Sequence, residues 1–292
     1  MTNPNNLKQK VPFEMQLFPF TSIYVQPLEK QILHLHWHDE WEIIYITKGE
    51  GIFHIGSEKV SAKRGDILFV NRGLIHTGFS NGDSLIEYYA IIFHPNLVGS
   101  FMSDNHDFDV FNRYKSGKHL FPTHIKAEDP YYDWFIDAIK KIIDEYEQQS
   151  NGFQVAIRSL LQLIIVQYSR YYPIISEASQ PSGYDEELDA KFKHLFSYIE
   201  EHYDDKITLD DVANIVNLST YHFCRTFKKI TGKTFIEYLN LYRINVAETK
   251  LLETNDPVTQ IAYDVGFGSI NYFSQMFKQY KLVSPSQYRK KD

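Results

Sequence analysis

The sequence predicts an α+β protein of two domains, an antiparallel β-barrel at the N-terminus and an all-α domain at the C-terminus. Three observations carry that prediction. Short strand-like runs fill roughly the first 95 residues, the period turns helical from Asp129, and the C-terminal third repeats itself. A chain of 292 residues with 43% apolar content is long enough for two cores.

The strands come first. "EIIYITKGEG", "GIFHIG", "EKVSAKRGDILFV" and "SLIEYYAIIFH" are rich in Ile, Val, Phe and Tyr and are separated by Gly, Asn and Asp. β-Branched and aromatic side chains fit a pleated surface, and "HIGSEKV" reads as a tight hairpin. Repeated runs with no helical period between them argue for a sandwich or barrel, assigned to residues 1–128.

The first run is preceded by the closely spaced His36 and His38, in "HLHWHDEWEIIYITKGEG" at residues 34–51. A strand's period of two puts His36 and His38 on one side. Glu42, beyond a kink, and His76, from a distant strand, are expected to converge with them inside the barrel. Three imidazoles and a carboxylate with open positions suit iron, manganese, nickel or zinc. Three uses of this set stay open: a catalytic metal, a metal for sensing or structure, and a metal-free site in which the four bond a ligand or each other. The aromatics nearby, Trp37, Trp41, Tyr45, Phe53, Tyr88 and Tyr89, suit either stacking on a sugar ring or filling the core.

Helices follow. In "DPYYDWFIDAIKKIIDEYEQQ" Trp134, Ala138, Ile142 and Tyr146 recur every four residues, with Asp129 as the expected N-cap and Pro130 as the first helical residue. After Asn151-Gly152, "FQVAIRSLLQLIIVQYSRYY" gives a second helix, so residues 129–172 read as an αα-hairpin. Its surplus of Leu and Ile needs another surface, the barrel or a second copy of the chain, and a dimerisation role is expected. Residues 173–186, with two Pro, a Gly and several Ser, read as a linker.

The domain at 187–292 contains a repeat. Val212-Ala213 and Val216 recur as Ile261-Ala262 and Val265; then, one residue further out of step, Ser219, Phe223, Phe227-Lys228, Thr234 and Tyr238 recur as Ser269, Phe273, Phe277-Lys278, Ser284 and Tyr288. One inserted residue in the second turn explains the slip. Each copy has the marks of a helix-turn-helix: Thr208 with Asp211 makes a capping-box start, Ala213 is small enough for a close crossing, and Ser219 caps the next helix. That helix turns Phe223, Phe227 and Ile230 inward and Tyr221, Cys224, Arg225 and Lys228 outward. The second copy turns Phe273, Phe277 and Tyr280 inward and Asn271, Ser274, Gln275 and Lys278 outward.

The outward residues suit the reading of base edges. Arg bonds guanine, Asn or Gln bonds adenine, and short groups meet either edge or a thymine methyl. Lys228, Lys229, Lys233 and Lys278 are placed for phosphates, as are His222 and the helix starts capped by Ser219 and Ser269. Charge agrees. The whole chain carries −7, but Ile207–Asp292 holds 11 Lys+Arg against 8 Asp+Glu, a net of +3, leaving −10 on the rest. A single cysteine, Cys224, excludes an internal disulfide framework, and no apolar run of ~18 residues or charged-then-apolar leader is read, so a cytoplasmic protein without a membrane partner is expected.

Residues 187–292 resemble the DNA-binding domain of the AraC/XylS family of bacterial transcription regulators, through the tandem repeat, the linking "TFIEYLNLYRINVAETKLL", "IAYDVGFGSINYFSQMFKQY" and the closing "SPSQYRK". The resemblance implies base contacts from Tyr221, Cys224 and Arg225 and from Asn271, Ser274 and Gln275. It also implies that the helix 234–251 holds the two reading helices in successive major grooves. Cys224 stands where a longer polar residue is usual and is expected at most to pack on a methyl.

His36-x-His38-x3-Glu42-x6-Gly49 and Gly65-x5-Asn71-x-Gly73-x2-His76 resemble the two motifs of the cupin barrel, with Asn71 in place of a usual Pro and Ser80 in place of a usual Asn. Many regulators of the AraC type carry such a barrel, and the resemblance implies a small-molecule sensor. The expectation is therefore a non-enzymatic, homodimeric transcription regulator. It acts as an activator with double-stranded DNA and RNA polymerase as partners and a sugar-like effector at His36, His38, Glu42 and His76, without a cofactor. The alternatives are a metal-dependent cupin enzyme with a DNA-binding tail and a repressor sensing another metabolite.

Overall fold

The computed structural model describes residues 7–15, 17–27, 31–81, 85–99, 109–117, 120–172 and 186–289. The chain divides into two compact units, Lys8–Tyr184 and Asp185–Asp292 with Met1–Leu7. The linker expected at 173–186 lies outside the described residues, save Glu186, which opens a helix.

Among the described residues the first unit has nine strands: β1 (Phe20–Val25), β2 (Gln31–His36), β3 (Trp41–Lys48), β4 (Glu50–Ile55), β5 (Glu58–Lys63), β6 (Ile67–Val70), β7 (His76–Ser80), β8 (Glu87–Phe93) and β9 (His124–Ile125). They pair antiparallel in two sheets, ordered β1-β8-β3-β6-β9 and β2-β7-β4-β5. Strand β3 is apolar on both faces because both are covered. Ile44 and Ile46 meet Phe53, Ile55 and Leu68 between the sheets, whereas Trp41 and Ile43 point the other way. Gly49 turns β3 into β4 at φ +75°, where a Cβ would stand 2.2 Å from the Leu85 carbonyl oxygen, so no other residue fits.

Among the described residues this unit also has three α-helices, α1 (Asp109–Lys115), α2 (Tyr132–Gln148) and α3 (Phe153–Tyr171). Phe135, Ile139 and Ile142 of α2 and Ile157, Leu161 and Ile165 of α3 share one cluster with Trp41, Ile43, Phe69 and Ile91, so the hairpin covers the five-stranded sheet. Each such side chain contributes about 1.5–3 kcal/mol by leaving water. Val155 and Leu163 of α3 remain exposed. The expected start of α2 is corrected: the Asp129 carboxylate accepts the Lys126 N–H at 2.9 Å, closing a turn of its own, and the helix begins at Tyr132 behind Tyr131. Asp129 bonds backward and is therefore spent before the helix begins.

The second unit contains α4 (Glu186–His202), α5 (Leu209–Ile215), α6 (Thr220–Thr231), α7 (Phe235–Glu253), α8 (Val258–Asp264), α9 (Ile270–Lys281) and α10 (Pro285–Arg289). The repeat is exact in geometry where it is exact in sequence. Phe223 and Phe227 lie 5.4 Å apart at 50°, Phe273 and Phe277 5.7 Å at 53°; Tyr238 meets Phe227, and Tyr288 meets Phe277, each at 5.5 Å. Thr208 and Thr234 cap α5 and α7 through boxes with Asp211 and Glu237, and Ser284 exchanges the same pair of bonds with Gln287 at α10. Residues 216–219 join α5 to α6 and 265–269 join α8 to α9, the single extra residue that the offset required. The longer turn passes through Gly266 at φ +84°, where a Cβ would lie 2.7 Å from the Asp204 carbonyl oxygen.

Candidate metal centre and nucleic-acid interface

The four residues of the paired histidine motifs meet in the first unit. Strands β2 and β7 are neighbours, and their register sets His36 opposite His76. Pairing runs from Leu33 opposite Gly78 to His36 opposite His76, three residues against two, so a bulge in β2 re-aims His36. His76 is thus distant only in sequence. His38 lies past the end of β2 and reaches the site from the turn into β3, not by strand alternation as expected. Glu42 enters from the other sheet, on the side of β3 that carries Ile44 and Ile46. One potential ligand atom from each lies within 4.8 Å of the others. His38, Glu42 and His76 are buried, and His36 keeps part of its surface open.

A segment that the sequence did not single out braces this turn. Gln9 donates its N–H to the Trp37 carbonyl at 2.9 Å, and the Lys8 ammonium stands 4.7 Å from the centre of the Trp37 ring and 3.0 Å from Asp39. Trp37 therefore already has a cation on it. Trp41, Phe53 and Tyr88 are buried among other core side chains, with the Tyr88 hydroxyl donating to the Ile32 carbonyl at 3.0 Å. Of the two roles open to these three, the structure gives them core filling.

The polar contacts decide what the cluster is suited to hold. Each imidazole sets Nδ1 against a backbone carbonyl: His36 against His34 at 2.8 Å, His38 against Glu40 at 3.2 Å, His76 against Leu74 at 2.8 Å. A carbonyl only accepts, so Nδ1 carries the proton, and in a neutral ring Nε2 is a bare lone pair. Nε2 of His38 and of His76 lie 3.2 and 3.1 Å from the same Glu42 oxygen, and buried His76 Nε2 has no hydrogen-bond partner. Burial and the neighbouring His76 pull His36 down to about 3, which leaves it neutral. Burial pushes the Glu42 carboxyl up, but the His38 and His76 rings beside it outweigh this and hold the carboxyl below the usual range. Burial pulls His38 down, and its bond to Glu42 more than reverses this.

The His76 Nε2 lone pair facing a buried carboxylate is costly unless a cation sits between them. The donor set, three imidazole nitrogens and one carboxylate oxygen, fits a divalent transition ion such as manganese, iron, nickel or zinc. Outer-shell bonds from the far ring nitrogen to a carbonyl are the usual support of histidine ligands, and all three rings have one. The residues present fit a metal better than a closed hydrogen-bonded network.

Asn71, which replaces the motif's usual proline, has a role that only the fold reveals. Its buried amide donates to the Phe121 carbonyl and accepts the Phe121 N–H, both at 2.9 Å, pinning residues 120–124 to the loop between β6 and β7.

In the second unit, the outward residues of α6 and α9 lie as expected. Tyr221, His222, Cys224, Arg225, Lys228 and Lys229 are exposed, as are Asn271, Gln275 and Lys278, while Ser274 is half-buried. Phe223, Phe227, Ile230, Phe273 and Phe277 are buried beneath them. Ser219 accepts the His222 N–H at 3.4 Å and Ser269 the Tyr272 N–H at 3.5 Å, so both hydroxyls serve as caps. Lys233 stands apart from the other lysines: it is half-buried, and burial lowers its ammonium below the ordinary value.

Comparison with known proteins adds to this geometry. Residues 27–165 match the family described as the AraC-like ligand binding domain, and residues 212–291 match a helix-turn-helix domain family. The chain is 29% identical over 258 residues to the HTH-type transcriptional regulator YdeC of Bacillus subtilis, covering 88% of this chain and 86% of that one. It is 26% identical over 275 residues to the HTH-type transcriptional activator RhaS of Escherichia fergusonii, covering 92% of each. A solved structure, the C-terminal domain of the response regulator yesN from Fusobacterium nucleatum, is 36% identical, with 34% of this chain and 98% of that one covered at a TM-score of 0.33.

Proposed function

The chain belongs to the AraC family of transcription regulators, and on that premise we propose that it is an activator whose response is set by a divalent transition metal held by His36, His38, Glu42 and His76. The observation that carries the metal is the convergence of three imidazoles, each tethered through Nδ1 to a carbonyl, on one buried carboxylate. When bound, the ion supplies the positive charge that this nest of lone pairs lacks. The chain's own part is to fix the ligand directions through His34, Glu40 and Leu74 and to keep the carboxylate ionised.

DNA is read by Tyr221, Arg225, Asn271, Ser274 and Gln275, with Cys224 packing at most on a methyl. Ser219, His222, Lys228, Lys229, Ser269 and Lys278 meet phosphates, and Lys233 contributes less because of its burial. Activation is supported by the likeness to RhaS over most of both chains, and the setting is a cytoplasmic homodimer that engages RNA polymerase. No helix among the described residues is long and apolar enough to cross a membrane. A sugar effector has less support, since Trp41, Phe53 and Tyr88 are spent in the core. Metal occupancy regulates only by favouring one of two arrangements of the protein, so gel-shift titrations with and without Mn(II), Ni(II) or Zn(II) test the reading directly. A several-fold change in operator affinity is expected; identical affinity at full metal loading refutes metal control.

A further inference from the structure

A second site lies in the first unit, apart from the histidine cluster. The turn joining β4 to β5, the loop joining β6 to β7 and the segment 120–124 enclose a cleft of about 280 Å³. Among the described residues its walls are Ile55, Leu74, Phe121 and Pro122, its polar groups include Glu58 and His124, and no described lysine or arginine lines it. The size suits a small molecule, and the walls suit an apolar body. The Glu58 carboxylate favours a cation or a neutral donor over an anion. Behind His124 the charge has the same sign: Asp66 is buried with Oδ2 3.1 Å from His124 Nε2, and its Oδ1 has no hydrogen-bond partner.

The surroundings make the cleft a joint between parts that matter. Leu74 lines it, and the Leu74 carbonyl anchors Nδ1 of His76. In the same loop, Gly73 donates its N–H to the His38 carbonyl at 2.8 Å. The Phe121 ring, which also lines the cleft, stacks on Tyr114 of α1 at 4.2 Å between centroids and lies 4.0 Å from Phe69, 5.3 Å from Trp41 and 5.1 Å from Tyr168 of α3. A molecule seated here presses on the loop that holds two of the histidines and on the ring that joins the sheet to α3.

We propose that this cleft is an effector site for a small primary amine with an apolar body, its ammonium facing Glu58 and its body between Leu74 and Phe121. The site is built from residues outside the cluster and does not rest on the metal reading.

The test uses the full chain and benzylamine as the probe, with benzyl alcohol and benzoate as its neutral and anionic counterparts, followed by calorimetry. Wild type should bind benzylamine saturably at one site, and benzoate at least about tenfold more weakly. Glu58→Gln, a half-exposed position that leaves the fold intact, should weaken benzylamine by about tenfold while leaving benzyl alcohol unchanged. Binding should persist in His76→Ala, which separates this site from the cluster, and amide exchange at Phe121 should slow when the probe is bound. Benzylamine that binds Glu58→Gln as tightly as wild type, benzoate that binds as well as benzylamine, or no saturable binding at millimolar concentration overturns the proposal.

Discussion

His36 and His76 face each other as direct cross-strand partners on β2 and β7, with ring centroids 4.1 Å apart and neither ring able to bond the other while both keep Nδ1 on a carbonyl. Two imidazoles held this way have their remaining nitrogens free for a common guest. His76→Ala should therefore reduce bound transition metal from about one to below ~0.1 per chain, as measured by elemental analysis of protein loaded with Zn(II) and desalted. In wild type, metal at ~100 times its dissociation constant should add about 2.7 kcal/mol of stability, absent from the variant. Equal metal in both proteins rejects the assignment.

Arg225→Ala and Gln275→Ala should each weaken specific DNA binding by about 1–3 kcal/mol and relax the preference at one base position. Lys228→Ala and Lys278→Ala should weaken all sequences alike and lower the slope of log affinity against log salt by about 1 each. Gel-shift assays across a salt series distinguish the two classes, and a uniform loss for Arg225→Ala shows that it touches phosphate only.

The repeated aromatic pairs carry the cores of the two halves of the second unit. Phe223→Ala and Phe273→Ala, each at a fully buried ring, should cost about 3–5 kcal/mol in denaturant unfolding. A cost under ~1 kcal/mol at either position shows that its half does not depend on the ring.

Asn71→Ala removes a buried amide that satisfies both backbone groups of Phe121, leaving them unpaired at a cost of about 1–3 kcal/mol. Amide exchange should accelerate at Phe121. Unchanged protection there shows that Asn71 is not what holds Phe121 in place.

The capping carboxylates give the second unit an acid limb. Hydrogen bonds from the Thr234 backbone and hydroxyl hold Glu237 below the usual value, as those from Thr208 hold Asp211. A lowered folded value means stability that is present above the unfolded value, near pH 4, and is lost as pH falls through the folded one. The stability advantage of wild type over Glu237→Gln should therefore shrink as pH is lowered below about 5 and vanish at the acid end. An advantage that is flat across that range assigns Glu237 no ionised role in the cap.

Much of this was legible in local pattern. The Phe223/Phe227 and Phe273/Phe277 spacing shows as helix because residues four apart share a face, and Thr208, Ser219, Thr234 and Ser269 announce their helix starts because a cap is a contact within three residues. Asp129 misled for the same local reason, since its carboxylate had an equally near rival in the Lys126 N–H. β1, in contrast, was not singled out: "FTSIYV" has strand-forming residues, but what makes it a strand is the ladder that β8 offers it 63 residues or more away in sequence.

By itself the sequence determined the two-domain order, the tandem helix-turn-helix with its outward-facing residues, and which four side chains to watch in the barrel. All of these are matters of period, spacing and residue type. The tertiary structure decided what those four side chains form. The bulge in β2 that aims His36, the carbonyls that fix each Nδ1, the burial of Glu42 and the brace of Asn71 on Phe121 all join residues distant in sequence or set by an irregularity in pairing. The same holds for the aromatics: Trp41, Phe53 and Tyr88 were equally fit to stack on a ligand or on their neighbours, and only the closing of the sheets, which removed their surface from water, assigned them to the core.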